Sequence, residues 1–111
     1  MRRLFYSSGY VLTADRTCKA VLRYARALAE SSTSDVVSIP VLVSGGGVGY
    51  AHFLIGPASQ LFSTPVADNT AEPDDPTVVA DLERRTRLLQ TSVPEWDDEM
   101  TDVENFDFDA I

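Results

Sequence analysis

The sequence predicts a small α+β domain. An N-terminal strand and a hairpin over 35–56 form an antiparallel sheet packed by one amphipathic helix, and a weak C-terminal helix and a disordered acidic tail follow. Three observations predict it. Residues 35–43 and 48–56 are rich in β-branched and aromatic side chains and flank Ser44-Gly45-Gly46-Gly47. Glycine supplies the positive φ of a tight reversal, so this is a hairpin signal. Apolar residues recur at helical spacing just before it, and acids gather at the far end of the chain.

Residues 3–6 are apolar and aromatic, followed by Ser7-Ser8-Gly9 and Tyr10-Val11-Leu12. They read as one strand with a glycine bulge or as two short strands around a turn. Thr13 is the expected helix N-cap, with Asp15 at the positive end of the helix dipole. Cys18, Val21, Leu22, Ala25, Leu28 and Ala29 then follow the spacing of one buried face, and four residues, Ser31-Ser32-Thr33-Ser34, end it.

In the hairpin, Val37, Ile39, Val41 and Val43 share one side, and Ala51, Phe53 and Ile55 group together on the return strand. Pro40 has no amide to donate, which predicts an edge or a bulge there. Both faces are apolar, which calls for more cover than one helix gives: a second layer or a dimer partner. A turn at 56–59 leads to a last short strand at 61–64.

The expected organisation is a small α+β domain at 1–66, a linker at 67–75, an amphipathic helix at 76–90 and a disordered acidic tail at 91–111. The linker is acidic and poor in bulky apolar groups. Asp75-Pro76 reads as an N-cap and first helical position. The helix carries Val78, Val79, Leu82, Thr86 and Leu89 on one side, a stripe thin enough to need docking. From Thr91 onward there are eight acids and no base, so the tail repels itself and has little to bury.

Charge is split along the chain. Residues 1–66 hold six bases and three acids, a net of +3, and residues 67–111 hold three bases and fourteen acids, a net of −11. Such polarity predicts an interaction tail or an intramolecular contact. The total of −8 argues against a free-standing nucleic-acid binder, which needs a basic surface. A core of this size also favours dimerisation or a bound partner. Cys18 is the single cysteine, so no intrachain disulfide is expected. There is no apolar run of membrane-spanning length, and the expected location is the cytoplasm, without membrane contact.

No reacting constellation is visible. Gly45 to Gly49 is rich in glycine, but a phosphate loop needs a helix after it and a Lys-Ser/Thr continuation. Cys18 and His52 are a nucleophile and a base by type, yet Cys18 sits on the apolar helix face, where cysteine acts as a small hydrophobe. No catalytic residue, cofactor or metal site is expected, and the chain is read as a non-enzyme. The candidate binding residues are of two kinds. Arg16, Lys19, Arg23 and Arg26 recur at three and four residues and form a basic stripe, which is either a solvated helix face or a docking surface for acid. Trp96, Phe106, Phe108 and Ile111 punctuate the acidic tail, where they could anchor a peptide that its acids keep solvated and steer. The ending Asn-Phe-Asp-Phe-Asp-Ala-Ile resembles the acidic, hydrophobic-tipped tails of bacterial single-stranded-DNA-binding proteins. The likeness covers only the tip, has no OB-fold body beside it and carries no function across.

The expected function is a non-enzymatic protein-interaction or regulatory protein acting through the tail, the basic helix face or both. Its partner is another protein or the tail itself. The alternatives are a nucleic-acid module masked by its tail, with Arg2 and Arg3 joining the stripe, or an acidic mimic of nucleic acid.

Overall fold

A computed structural model describes residues 1–67 and 71–91. The expected tail from 92 onward, with Trp96, Phe106, Phe108 and Ile111, lies outside the described residues. The elements run β1 (Arg2–Tyr6), β2 (Gly9–Thr13), α1 (Asp15–Glu30), β3 (Asp35–Leu42), β4 (Val48–Ile55), β5 (Leu61–Pro65) and α2 (Pro76–Thr91). The strands form one antiparallel sheet in the order β4-β3-β2-β1-β5. The fold is α+β, with a core between the sheet and two helices rather than one.

The N-terminal stretch resolves into two strands, not one bulged strand. β1 and β2 pair from Arg2↔Thr13 to Tyr6↔Gly9, and Ser7 takes a φ of 58° in the two-residue turn between them. The β3–β4 hairpin pairs from Asp35↔Ile55 to Leu42↔Val48. Its turn is closed by Gly46 N–H donating to the Val43 carbonyl at 3.0 Å and Val43 N–H to the Gly47 carbonyl at 2.8 Å. Gly45 and Gly46 have φ of 91° and 88°, where a Cβ is strained. Gly46→Ala is therefore expected to cost about 1 kcal/mol, read as a lower urea midpoint with an unchanged slope.

Two expectations about β3 and α1 are corrected. β3 is not an edge strand, since β4 and β2 flank it. It tolerates Pro40 because β2 pairs with it only at Leu12↔Leu42. The Pro40 carbonyl accepts from Thr13 Oγ1 at 2.7 Å, so the side of Pro40 that lacks a donor faces a hydroxyl rather than a ladder. Thr13 is consequently not the helix cap. Ala14 holds that position without a capping side chain. Instead Glu72 reaches the helix start from the 71–75 segment, taking Asp15 N–H at 3.4 Å and the Met1 ammonium at 3.0 Å, which places acid at the positive end of the dipole.

The buried face of α1 is Thr17, Cys18, Ala20, Val21, Tyr24, Ala27 and Leu28. Ala29 is exposed, and Leu22 and Ala25 are half-buried. The face is rotated from the expected one because α2 packs beside α1 and covers Ala20, Tyr24 and Ala27. On α2, Val79 and Leu82 enter the core, with Val78 and Leu89 against it. Asp75 caps this helix through Thr77 N–H at 3.1 Å and accepts the Tyr50 hydroxyl at 2.8 Å. Leu4, Val37, Ile39, Val41 and Ile55 complete the core from the sheet. The core residues of both helices pack on the Leu4, Val37 and Ile39 side of the sheet, and Asp75 meets the other face at the Tyr50 hydroxyl.

Candidate functional site

The exposed side of α1 carries Arg16, Lys19, Arg23 and Arg26, all exposed. The helix period puts them in a row, but the structure does not leave them equivalent. Arg16 is drawn off by Asp74, with Nε and Nη2 donating to the two carboxylate oxygens at 3.2 and 3.0 Å. Such a two-point pair holds its geometry better than a single contact. Arg26 meets Glu30 one turn on at 3.1 Å, at an exposure where the pair contributes little. Lys19 and Arg23 make no ion pair among the described residues.

Two hollows flank this row. One lies between α1 and α2 and is lined by Arg23, Arg26 and Arg87 together with Glu30, Glu83 and Gln90. The other lies between α1 and the β1–β5 side of the sheet and is lined by Arg2, Lys19, Arg23 and Arg26 beside Asp15 and Cys18. Arg23 and Arg26 thus stand on a ridge with further cations on either side. Arg2 joins because β1 alternation puts it on the helix side with Leu4, where its Nε donates to Ser63 Oγ at 3.0 Å. Arg3 does not join, contrary to the nucleic-acid alternative. It points to the opposite face, and its guanidinium lies 5.0 Å from the Tyr10 ring centroid. Arg87 escaped the sequence reading. The flank of α2 becomes part of this surface only when the two helices pack, and the period of α2 alone says nothing of that.

Beneath the row, Asp35 ties α1, β3 and α2 together. It accepts the Tyr24 hydroxyl at 2.5 Å and Arg85 Nη1 at 3.0 Å through one oxygen, and its own strand's Val36 N–H at 2.8 Å through the other. Asp81 holds the other side of Arg85 at 2.8 Å. The Tyr24 hydroxyl donation, followed by Val36 and Arg85, holds the Asp35 carboxyl below the usual carboxylate range against the opposing effect of burial. Burial first and Asp35 second push the Tyr24 phenol up to about 12. This is a structural clamp under the candidate surface.

Cys18 is fully buried, and burial raises its thiol pKa. His52 stands exposed on the sheet face away from the helices, so the two do not meet. Among the described residues no three His, Cys, Asp or Glu side chains gather as a metal-binding group, and no helix is long and apolar enough to cross a membrane.

A second surface is apolar. On the uncovered face of the sheet Phe5 stacks on Phe62 at 4.4 Å between ring centroids and tilts against Tyr10 at 5.4 Å. Phe62 and Leu54 line one hollow, Leu54 pairs with Val36 across the hairpin, and Tyr50 and Val48 continue along β4.

No family model, curated protein or solved structure matches this chain. The functional reading rests on the two surfaces alone.

Proposed function

We propose that the chain is a non-enzymatic interaction or regulatory protein of the cytoplasm whose basic α1 face docks an acidic peptide, and that its own segment 92–111 competes for that face. One observation supports this above the others: Gln90, in the last turn of α2, lines the same hollow as Arg23, Arg26 and Arg87. The segment with eight acids and no base therefore leaves α2 beside the cations. Its length suffices: twenty extended residues reach about 60 Å, against about 24 Å for the sixteen residues of α1. The acids would steer the peptide, and Trp96, Phe106, Phe108 and Ile111 would anchor it beside α1. A partner with the same alternation of acid and aromatic side chains would displace it. The lone thiol, sealed in the core, is in keeping with a reducing compartment.

The test compares proton–nitrogen spectra of the full chain and of a truncation after Thr91, at low and high ionic strength. The expected result is a set of shifted amides at Lys19, Arg23, Arg26 and Arg87 that relax to the truncated positions as salt is added. Identical spectra at low salt would end the fold-back reading. A masked nucleic-acid module is the second reading, favoured by the five cations Arg2, Lys19, Arg23, Arg26 and Arg87 that line the two hollows. It requires the truncation to bind DNA or RNA with a steep salt dependence. Binding to basic proteins by the tail peptide alone would instead mark an acidic mimic.

A further inference from the structure

We infer that the uncovered face of the sheet is the interface of a homodimer, in which two copies of this chain pack sheet against sheet. Six large apolar side chains on this face, Tyr10, Val36, Val48, Tyr50, Leu54 and Phe62, are each 53–58% exposed. Together they offer on the order of 600 Å², most of the ~800 Å² per partner that a specific interface removes from water. Exposed apolar side chains scattered singly need no explanation, but a contiguous patch of this size does. The Phe62–Phe5–Tyr10 stack spans β5, β1 and β2, and Leu54 stands in register with Val36 on β4 and β3. The two groups meet in the hollow that Phe62 and Leu54, on the two edge strands, share around the 56–60 turn.

Charge identifies the occupant. Strand alternation places Arg3, Phe5, Tyr10, Leu12, Val36, Ser38, Leu42, Val48, Tyr50, His52, Leu54, Phe62 and Thr64 on this face with the buried Pro40 among them. None of these strand residues is a carboxylate, and Asp75 meets the face at its rim, through the Tyr50 hydroxyl. Its one arginine lies over an aromatic ring. Segment 92–111 is a poor occupant, because its eight acids would be desolvated against a surface offering one cation. A nucleic acid is excluded by the same lack of cations. An apolar surface whose strands bring no carboxylate of their own to it is self-complementary, as the shared patch of a twofold interface must be. Two such faces packed together form the aligned sandwich that buries both, with polar Ser38 and Thr64 between the apolar positions.

β4 adds to the case. It is an edge strand of eight residues with no proline and no Asp, Glu, Lys or Arg. Two usual protections of a sheet edge, a charge and a proline, are missing from it, and the Tyr6 hydroxyl takes up one of its carbonyls, that of Leu54, at 2.5 Å. Burial beside a second copy removes that liability.

The experiment is sedimentation velocity of the full chain over a concentration series, beside the full-chain variants Leu54→Lys and Phe62→Lys. Both side chains are exposed in the single chain, so each variant should keep the melting curve and amide dispersion of a folded protein. The expected result is a dimer mass for the native chain and at least a tenfold weaker self-association in each variant. Arg23→Glu, on the opposite layer, should sediment as the native chain does, which separates this inference from the proposal for the basic face. A native chain that sediments as a monomer throughout overturns the inference, as does a dimer that survives both lysines. If a lysine variant unfolds, spectra of a mixture of labelled and unlabelled native chains decide: cross-peaks between copies at Val36, Leu54 and Phe62 are required, and their absence overturns it.

Discussion

Leu82→Ala should lower the unfolding free energy by about 2–5 kcal/mol, the usual cost of removing a leucine from a packed core. Leu82 is 2% exposed and sits with Val21, Tyr24, Leu28 and Val79 in one cluster. The loss combines the transfer energy of the missing methyl groups with the cavity they leave between α1, α2 and β3. The effect should be global. Tyr24 and Ala27 lose cover when α2 loosens, and the Asp35 clamp loses Arg85 with it. Urea unfolding followed by far-ultraviolet circular dichroism measures it. If the variant lost well under 1 kcal/mol while the sheet amides stayed in place, α2 would be an accessory helix and the two-helix core would be wrong. Leu88 is the comparison. It is 56% exposed on the same helix, and Leu88→Ala should change stability by less than about 0.5 kcal/mol.

Local patterns made much of this fold readable. The hairpin was legible because its turn needs positive φ and its strands alternate, and both signals are contained within some twenty residues. The buried half of α1 was legible from period alone, but its angular position was not. Ala20, Tyr24 and Ala27 are buried by α2, whose docking site is set by residues some fifty to sixty positions away. Thr13 shows the same limit. A threonine before a helix reads as a cap, yet its hydroxyl is claimed by the Pro40 carbonyl, a partner that only the sheet topology supplies. Glu72 could not be assigned to the helix start for the same reason. On the candidate surface, the stripe Arg16, Lys19, Arg23 and Arg26 was visible as spacing. Its division into a paired Arg16 and a less committed Lys19 and Arg23, and its extension to Arg2 and Arg87, depend on packing between elements.

Asp35→Ala should cost about 1–3 kcal/mol, and the reason lies in Tyr24 rather than in the ion pair. Arg85 and Asp35 are 34% and 39% exposed at the side chain, where an ion pair contributes at most about 1 kcal/mol. Tyr24 is 4% exposed, and deleting its acceptor leaves a buried hydroxyl unsatisfied, which costs about 1–3 kcal/mol. The two ends of the hydrogen bond also give opposite pH limbs. Asp35 titrates below its ordinary range in the folded chain, so its contribution is complete above that range and fades as pH falls through the lowered value. Tyr24 titrates near 12 rather than near 10, so its contribution is complete below about 10 and fades as pH rises toward 12. Stability measured against pH should therefore show a shallower acid limb in Asp35→Ala and a shallower alkaline limb in Tyr24→Phe. Asp75, held low chiefly by the Tyr50 hydroxyl, contributes to the same acid limb, so the difference between native and variant profiles is the quantity that isolates Asp35. Parallel acid limbs in the native chain and Asp35→Ala would mean that the Tyr24 and Arg85 contacts do not favour the ionised carboxyl, and that the clamp between α1, β3 and α2 is held by packing alone.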